Sequence, residues 1–150
     1  MISRGFSIIE LVIVIVIVGL LAAIAVPRLA AFGANGKYAT THQGFRQIAA
    51  ALDIYHADYM AYPPNAAIQT LPPEMVGYLD EAAFTVPPPI GRAWDWNGEG
   101  SGIRDHGFNL SIHTVSREDR DEMERRFDDD NPETGIYRNQ SHYLIWPVGP

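Results

Sequence analysis

An uninterrupted run of apolar residues constrains this chain more than any other feature. From Leu11 to Val26, in LVIVIVIVGLLAAIAV, no side chain carries a charge or a hydrogen-bonding group. With Ile8 and Ile9 ahead of it, the run reaches about the length that an α-helix needs to cross a bilayer, roughly 20 residues. Val and Ile are weak helix formers in water. In lipid, however, every backbone polar group must find a partner within the segment, so helix is the spanning form. Glu10 stands at the head of this run. An ionisable group at membrane depth costs on the order of a few kcal/mol, so it marks a function and requires a partner.

Two kinds of precursor begin in a way that fits. A Sec signal has a short basic start, an apolar stretch of roughly 7–15 residues and a small-residue cleavage site. Arg4, Leu11–Leu21 and Ala23-Ile24-Ala25 satisfy that pattern, and would release a soluble periplasmic binding domain cut near Ala25 and starting near Val26. Glu10 has no role in that reading. The second kind keeps the apolar segment. The stretch RGFSIIELV resembles the prepilin leader junction of type IV pilins and of the pseudopilins of type II secretion systems. The resemblance implies cleavage by prepilin peptidase between Gly5 and Phe6, methylation of Phe6, and Glu10 as the fifth residue of the mature chain. Gly19 and Pro27 fall where the family usually places a Gly and a Pro in the same helix. The resemblance also implies that Glu10 pairs with the Phe6 amine of a neighbouring subunit, which would set axial register in a fibre, since burying either charge alone is costly. A local pair is open too, because the two groups lie about one helical turn apart.

Charge and composition narrow the remaining classes. A formal net charge of −7 argues against nucleic-acid binding by bulk electrostatics. No basic cluster flanks the apolar run, so headgroup recognition is not indicated. Cysteine is absent, which excludes disulfides and thiolate metal sites.

Beyond the apolar run, Pro27 removes a backbone donor, so a kink or local melting is expected there. Gly33, Gly36 and Gly44 make the next stretch a marginal helix, open to bending or unravelling. Phe45, Ile48, Leu52, Tyr55 and Tyr59 then follow i, i+3, i+4 spacing and form a stripe that wants a sheet to cover it. The prolines of YMAYPPN end the helix near Tyr59. The connection to Gly91 is Pro-rich, with a short helix expected around Glu74–Leu79. RAWDWNG, GFNLSIHTV and HYLIWPV read as strands, the first two alternating Trp94 with Trp96 and Phe108 with Leu110 and Ile112 on one face, joined through GEGSG. SREDRDEMERRF reads as a solvated surface helix capped by Ser116, with Asp119 in its first turn and Arg125 and Arg126 in its last. FDDDNPETGIYR makes a turn into a further strand.

Candidate chemistry is sparse. Asp128, Asp129, Asp130 and Asn131 could bind calcium, which takes carboxylate and carbonyl oxygens, although the spacing is not that of an EF-hand. The resemblance lends support, since calcium occurs in the soluble domains of major pseudopilins. A solvated acidic turn is the competing reading. His42, His56, His106, His113 and His142 are scattered without ligand spacing, and no nucleophile elbow, phosphate loop or dinucleotide turn is present. Trp94, Trp96 and Trp146 fit a strand core better than a carbohydrate-stacking surface.

The expected architecture is therefore α+β: a long N-terminal helix, transmembrane in its first half, packed on a small antiparallel sheet, as in the pilin fold. Its parts are a leader over 1–5, an assembly helix over 6–27, an amphipathic second half over 28–60 and a soluble domain over 61–150. The resemblance implies a non-enzymatic fibre subunit, single-pass in the bacterial inner membrane with its soluble domain periplasmic. Its partners would be other pilin or pseudopilin subunits, prepilin peptidase and an inner-membrane assembly platform. No cofactor is expected apart from the calcium considered above.

Overall fold

The computed structural model describes residues 7–98 and 107–149, less the side chains at 27, 28, 30–32 and 34. The chain divides into two compact units, residues 1–36 and 37–150. Helix α1 runs without a break over Ile8–Tyr59. Neither Pro27 nor the glycines beyond it unravel the helix, contrary to the expectation from propensity. Each glycine weakens a helix by about 1 kcal/mol, but propagation along an established helix is favourable and only nucleation is steep.

In the second unit, α1 contributes its amphipathic half to the core. Tyr38, Thr41, Phe45, Ile48 and Leu52 are all buried, so the inward stripe begins earlier than the sequence suggests. It also ends earlier: Tyr55 is half-buried, and Tyr59 is exposed, stacked in a tilted arrangement on Tyr55 at 4.6 Å. The helix stops at Met60, whose φ of 55° leaves the α region before the prolines.

The connection that follows holds a 3-10 turn at Pro73–Met75 and helix α2 at Glu81–Thr85, in place of the single helix expected at Glu74–Leu79. Gly77, at φ 98°, breaks the first piece. Asp80 starts the second by accepting a hydrogen bond from the Ala82 N–H at 2.8 Å. Met75, Leu79 and Phe84 from this segment enter the core.

Strands β1 (Ala93–Asn97), β2 (Asn109–His113), β3 (Arg138–Gln140) and β4 (Tyr143–Pro147) form one antiparallel sheet in the order β1-β2-β4-β3. The register sets Trp94 opposite Ile112 and Trp96 opposite Leu110, and these four residues form one buried face. Phe45 meets that face, edge-on to Trp94 at 5.0 Å and stacked on Trp146 at 5.6 Å. Gly44 makes the approach feasible, since a Cβ there would sit 2.9 Å from the Trp94 ring. Trp94 and Trp96 are core and Trp146 is half-buried against it, so the three offer no open carbohydrate platform. The free edge of β1 is covered by the Pro-rich connection: the Gln69 N–H donates to Trp94 O at 2.8 Å, and Trp96 Nε1–H donates to Pro63 O at 3.0 Å. An edge covered in this way cannot template pairing with another chain.

The other face of β1 and β2 is polar and also buried, which simple alternation does not reveal. Asn97 Nδ2 donates to Asn109 Oδ1 and to Ser111 Oγ, each at 3.1 Å, and His113 Nε2 lies 2.9 Å from Asp95 Oδ2. Helix α3 covers Arg117–Phe127 and follows β2.

Candidate functional site

The first turn of α1 is closed by its own sequence. The Ser7 N–H donates to Glu10 Oε2 at 2.9 Å, and the Ile9 N–H donates to Ser7 Oγ at 3.3 Å. Ser7-Ile8-Ile9-Glu10 is a capping box, in which a serine and a glutamate three residues on satisfy donors that the helix start leaves free. Sequence reading credited Glu10 with an intersubunit role and overlooked this local one, although the S-x-x-E spacing was legible. Downstream, Ile8–Val26 forms a 19-residue span of mean hydropathy 3.2 with none of it buried. Its large side chains are exposed by between 46% at Val12 and 82% at Ile8, so no face is reserved for the protein's own core. Nothing lies within 4 Å of where a Gly19 side chain would begin. Gly5 and Phe6 lie outside the described residues, as does the Pro27 side chain.

A second cluster forms where α3 runs into β3. Ser116 caps α3 by accepting from the Asp119 N–H at 3.1 Å, as its sequence predicts. The helix is not wholly a solvated face, however. Met123 and Glu124 are buried, and Arg120 and Phe127 lie half-buried one turn either side, a stripe too poor in apolar residues to announce itself. Asp119 also accepts from Lys37 Nζ at 2.7 Å and from the Tyr38 hydroxyl at 2.9 Å, tying α3 to α1.

After Phe127 the chain turns through Asp128–Gly135. Asp129 accepts from the Asn131 N–H at 3.0 Å and from the Thr134 hydroxyl at 2.7 Å, and Asn131 Oδ1 accepts from the Glu133 N–H at 3.1 Å. Asp128 Oδ2 accepts from the Tyr137 N–H at 2.5 Å. Gly135 has a φ of 76°, and any side chain there would collide with the Asp128 carboxylate. The turn brings Asp128 and Asp129 to Glu124: one carboxylate oxygen from each lies within 4.8 Å of the others. Asp130, also expected as a ligand, does not join this group of carboxylates, and no histidine does so among the described residues. Burial pushes the Glu124 carboxyl up to about 7; the charges of Asp128, Asp129 and Asp130 add to the rise, and Arg138 opposes it. The Thr134 hydrogen bond leads in holding Asp129 below the ordinary carboxylate range. Burial raises the Tyr137 phenol, reinforced by Asp128 and Glu124. Such a corner can hold a positive ion or a proton; it contains no nucleophile paired with a base.

Comparison with known proteins bears on the first cluster. Residues 1–26 match the family described as the prokaryotic N-terminal methylation motif. The chain carries this methylation motif in its N-terminal segment. Type II secretion system core protein G of Pseudomonas aeruginosa is 42% identical over 61 residues, which is 41% of this chain and 43% of that protein. The chain thus matches less than half the length of this relative. No solved structure gives a significant match. Glu10 and the exposed apolar span lie within the residues that match the methylation motif, whereas the acidic corner lies far outside them.

Proposed function

We propose that the chain is a structural subunit of a pilus-like fibre, of the type II secretion pseudopilus class rather than an adhesive or motile pilus. The observation that carries this reading is the coincidence of a methylation motif over residues 1–26 with a helix whose apolar side chains are exposed on every side. Such a helix is stable in lipid, or packed among copies of itself, and not in water. The choice of secretion over other fibres rests on the likeness to a type II secretion core protein.

In this reading the precursor spans the inner membrane once, with residues 37–150 on the periplasmic side. Prepilin peptidase cuts between Gly5 and Phe6 and methylates the new amine. Glu10, at the membrane surface end of the helix, then meets the Phe6 amine of a neighbour as subunits leave the bilayer through an assembly platform. Burying the two charges together avoids the penalty of burying either alone. The role is mechanical, and no residue is assigned to catalysis.

Mass spectrometry of the mature protein tests the reading. A chain beginning at N-methylated Phe6 is expected. A chain beginning near Val26 would make the segment a Sec signal and overturn the proposal.

A further inference from the structure

Away from both clusters, the last turn of α1 and the residues flanking β2 and β4 line a cavity of about 690 Å³. That volume lies within the range of small-molecule sites, about 300–1,000 Å³. Most of its lining is apolar. Tyr62 and Phe108, half-buried with their ring centroids 4.9 Å apart, are joined there by Pro147 and Val148. His56 stacks on Tyr62 at 4.4 Å and adds a ring nitrogen that can donate a hydrogen bond. Among the described lining residues Arg138 alone carries a permanent charge, and none is acidic, although the whole chain has a net charge of −7. Arg138 is held in place: its Nη1 donates to the carbonyls of Gly135 and Tyr137, at 2.5 and 2.9 Å. Its charge bears on Glu124 and Asp129, but neither forms an ion pair with it. A guanidinium has five donors in a planar fork, so Nε and Nη2 keep donors for a ligand.

We propose that this cavity binds a small carboxylic acid with an aromatic body, its carboxylate on Arg138 and its ring against Tyr62 and Phe108. The sign of the ligand follows from Arg138, which repels cations and offers carboxylates a charge-assisted, two-pronged bond. Its single charge follows from the rest of the lining. A multiply charged anion would press unmatched charge against Tyr62, Phe108, Pro147 and Val148, and burying unpaired charge is costly. The aromatic body follows from the rings already there. Aromatic pairs favour offset or edge-on contacts at about 4.5–7 Å, and Trp96, Phe108 and Tyr62 form a series at 6.2 and 4.9 Å that a ligand ring would extend. The assignment uses nothing from the fibre reading.

The test titrates the ¹⁵N-labelled full chain in detergent micelles with 3-phenylpropionate and, separately, with its neutral amide, 3-phenylpropionamide. NMR follows the amides of Phe108, Val148 and Gly149 and the Nε of Arg138, with free ligand measured by dialysis. The acid is expected to shift these signals and to bind at least about tenfold more tightly than the amide, the difference a charge-assisted bond makes. Arg138→Gln is expected to lower the acid to the level of the amide. No shift at these residues with the acid, equal binding of acid and amide in wild type, or unchanged binding of the acid by folded Arg138→Gln overturns the proposal. Should Arg138→Gln fail to fold, the comparison of acid with amide in wild type decides by itself.

Discussion

Two glycines in the same helix should respond to the same substitution with opposite sign. At Gly36 an added Cβ meets nothing within 4 Å, whereas at Gly44 it would stand 2.9 and 3.1 Å from two ring carbons of Trp94. Changing an interior helical glycine to alanine gains about 1 kcal/mol from backbone propensity, and this gain is common to both sites. Only Gly44→Ala also pushes on a core ring, because Trp94 is 3% exposed and is itself braced edge-on against Phe45. Overpacking of this kind costs about 1–3 kcal/mol. Gly36→Ala is therefore expected to stabilise the protein by about 1 kcal/mol, and Gly44→Ala to be neutral or to destabilise it by up to about 2 kcal/mol. The difference between the variants isolates the steric term, since the propensity gain cancels. Thermal or urea unfolding of the full chain in micelles reads both; a kcal/mol corresponds to about 4 °C in a domain of this size. Equal stabilisation by the two substitutions would refute the close helix–sheet approach at Gly44.

The bond network of Asp119 makes a prediction about acid. Burial pushes this carboxyl up, but hydrogen bonds from Lys37, Ser116 and Tyr38 outweigh it and hold the pKa below its ordinary 3.8. A group depressed in the folded state contributes stability above its unfolded pKa and loses it as the pH falls through the folded value. Asp119→Ala is thus expected to cost about 1–2 kcal/mol at pH 7, less than a buried pair would, since Lys37 is 37% exposed and screened. That gap should shrink below pH 3.8 in urea unfolding; a gap that stays constant with pH would refute the assignment. At Glu10, Gln retains an acceptor for the Ser7 N–H but no charge, while Val removes both. Both variants are expected to insert and be cleaved, and both to be impaired in fibre incorporation; normal assembly of Glu10→Gln would make capping the whole role of this residue.

Much of the fold can be read from periodicity, and what cannot be read has a common cause. The Phe45–Leu52 stripe, the Ser116 cap and the alternation in β1 and β2 are all present in the spacing of apolar and capping residues. Polarity patterns record what a side chain is, however, and not whether it has a partner. Asp95, Asn97, Asn109 and Ser111 look like solvent-facing residues of a one-sided sheet, yet all four are buried, and Asn97 bonds to both Asn109 and Ser111. Glu124 looks like part of a charged surface helix for the same reason. The pairing of β2 with β4 escapes as well, because α3, the acidic turn and β3 separate the two strands in the chain and no local spacing records their register. In the acidic corner the turn residues are legible in the sequence, and the helical Glu124 that faces Asp128 and Asp129 is not.

The capping box at the start of α1 has a consequence for processing. Both of its members, Ser7 and Glu10, lie beyond the Gly5–Phe6 bond, and the hydrogen bonds that close the first turn run between Ser7, Ile9, Glu10 and Leu11. Removing the leader would therefore take away none of the groups that these bonds use. The cut would act as an edit of charge ahead of a helix start already built, exchanging a peptide bond for an amine four residues before Glu10 in the sequence while the bonds that position that carboxylate keep all their groups.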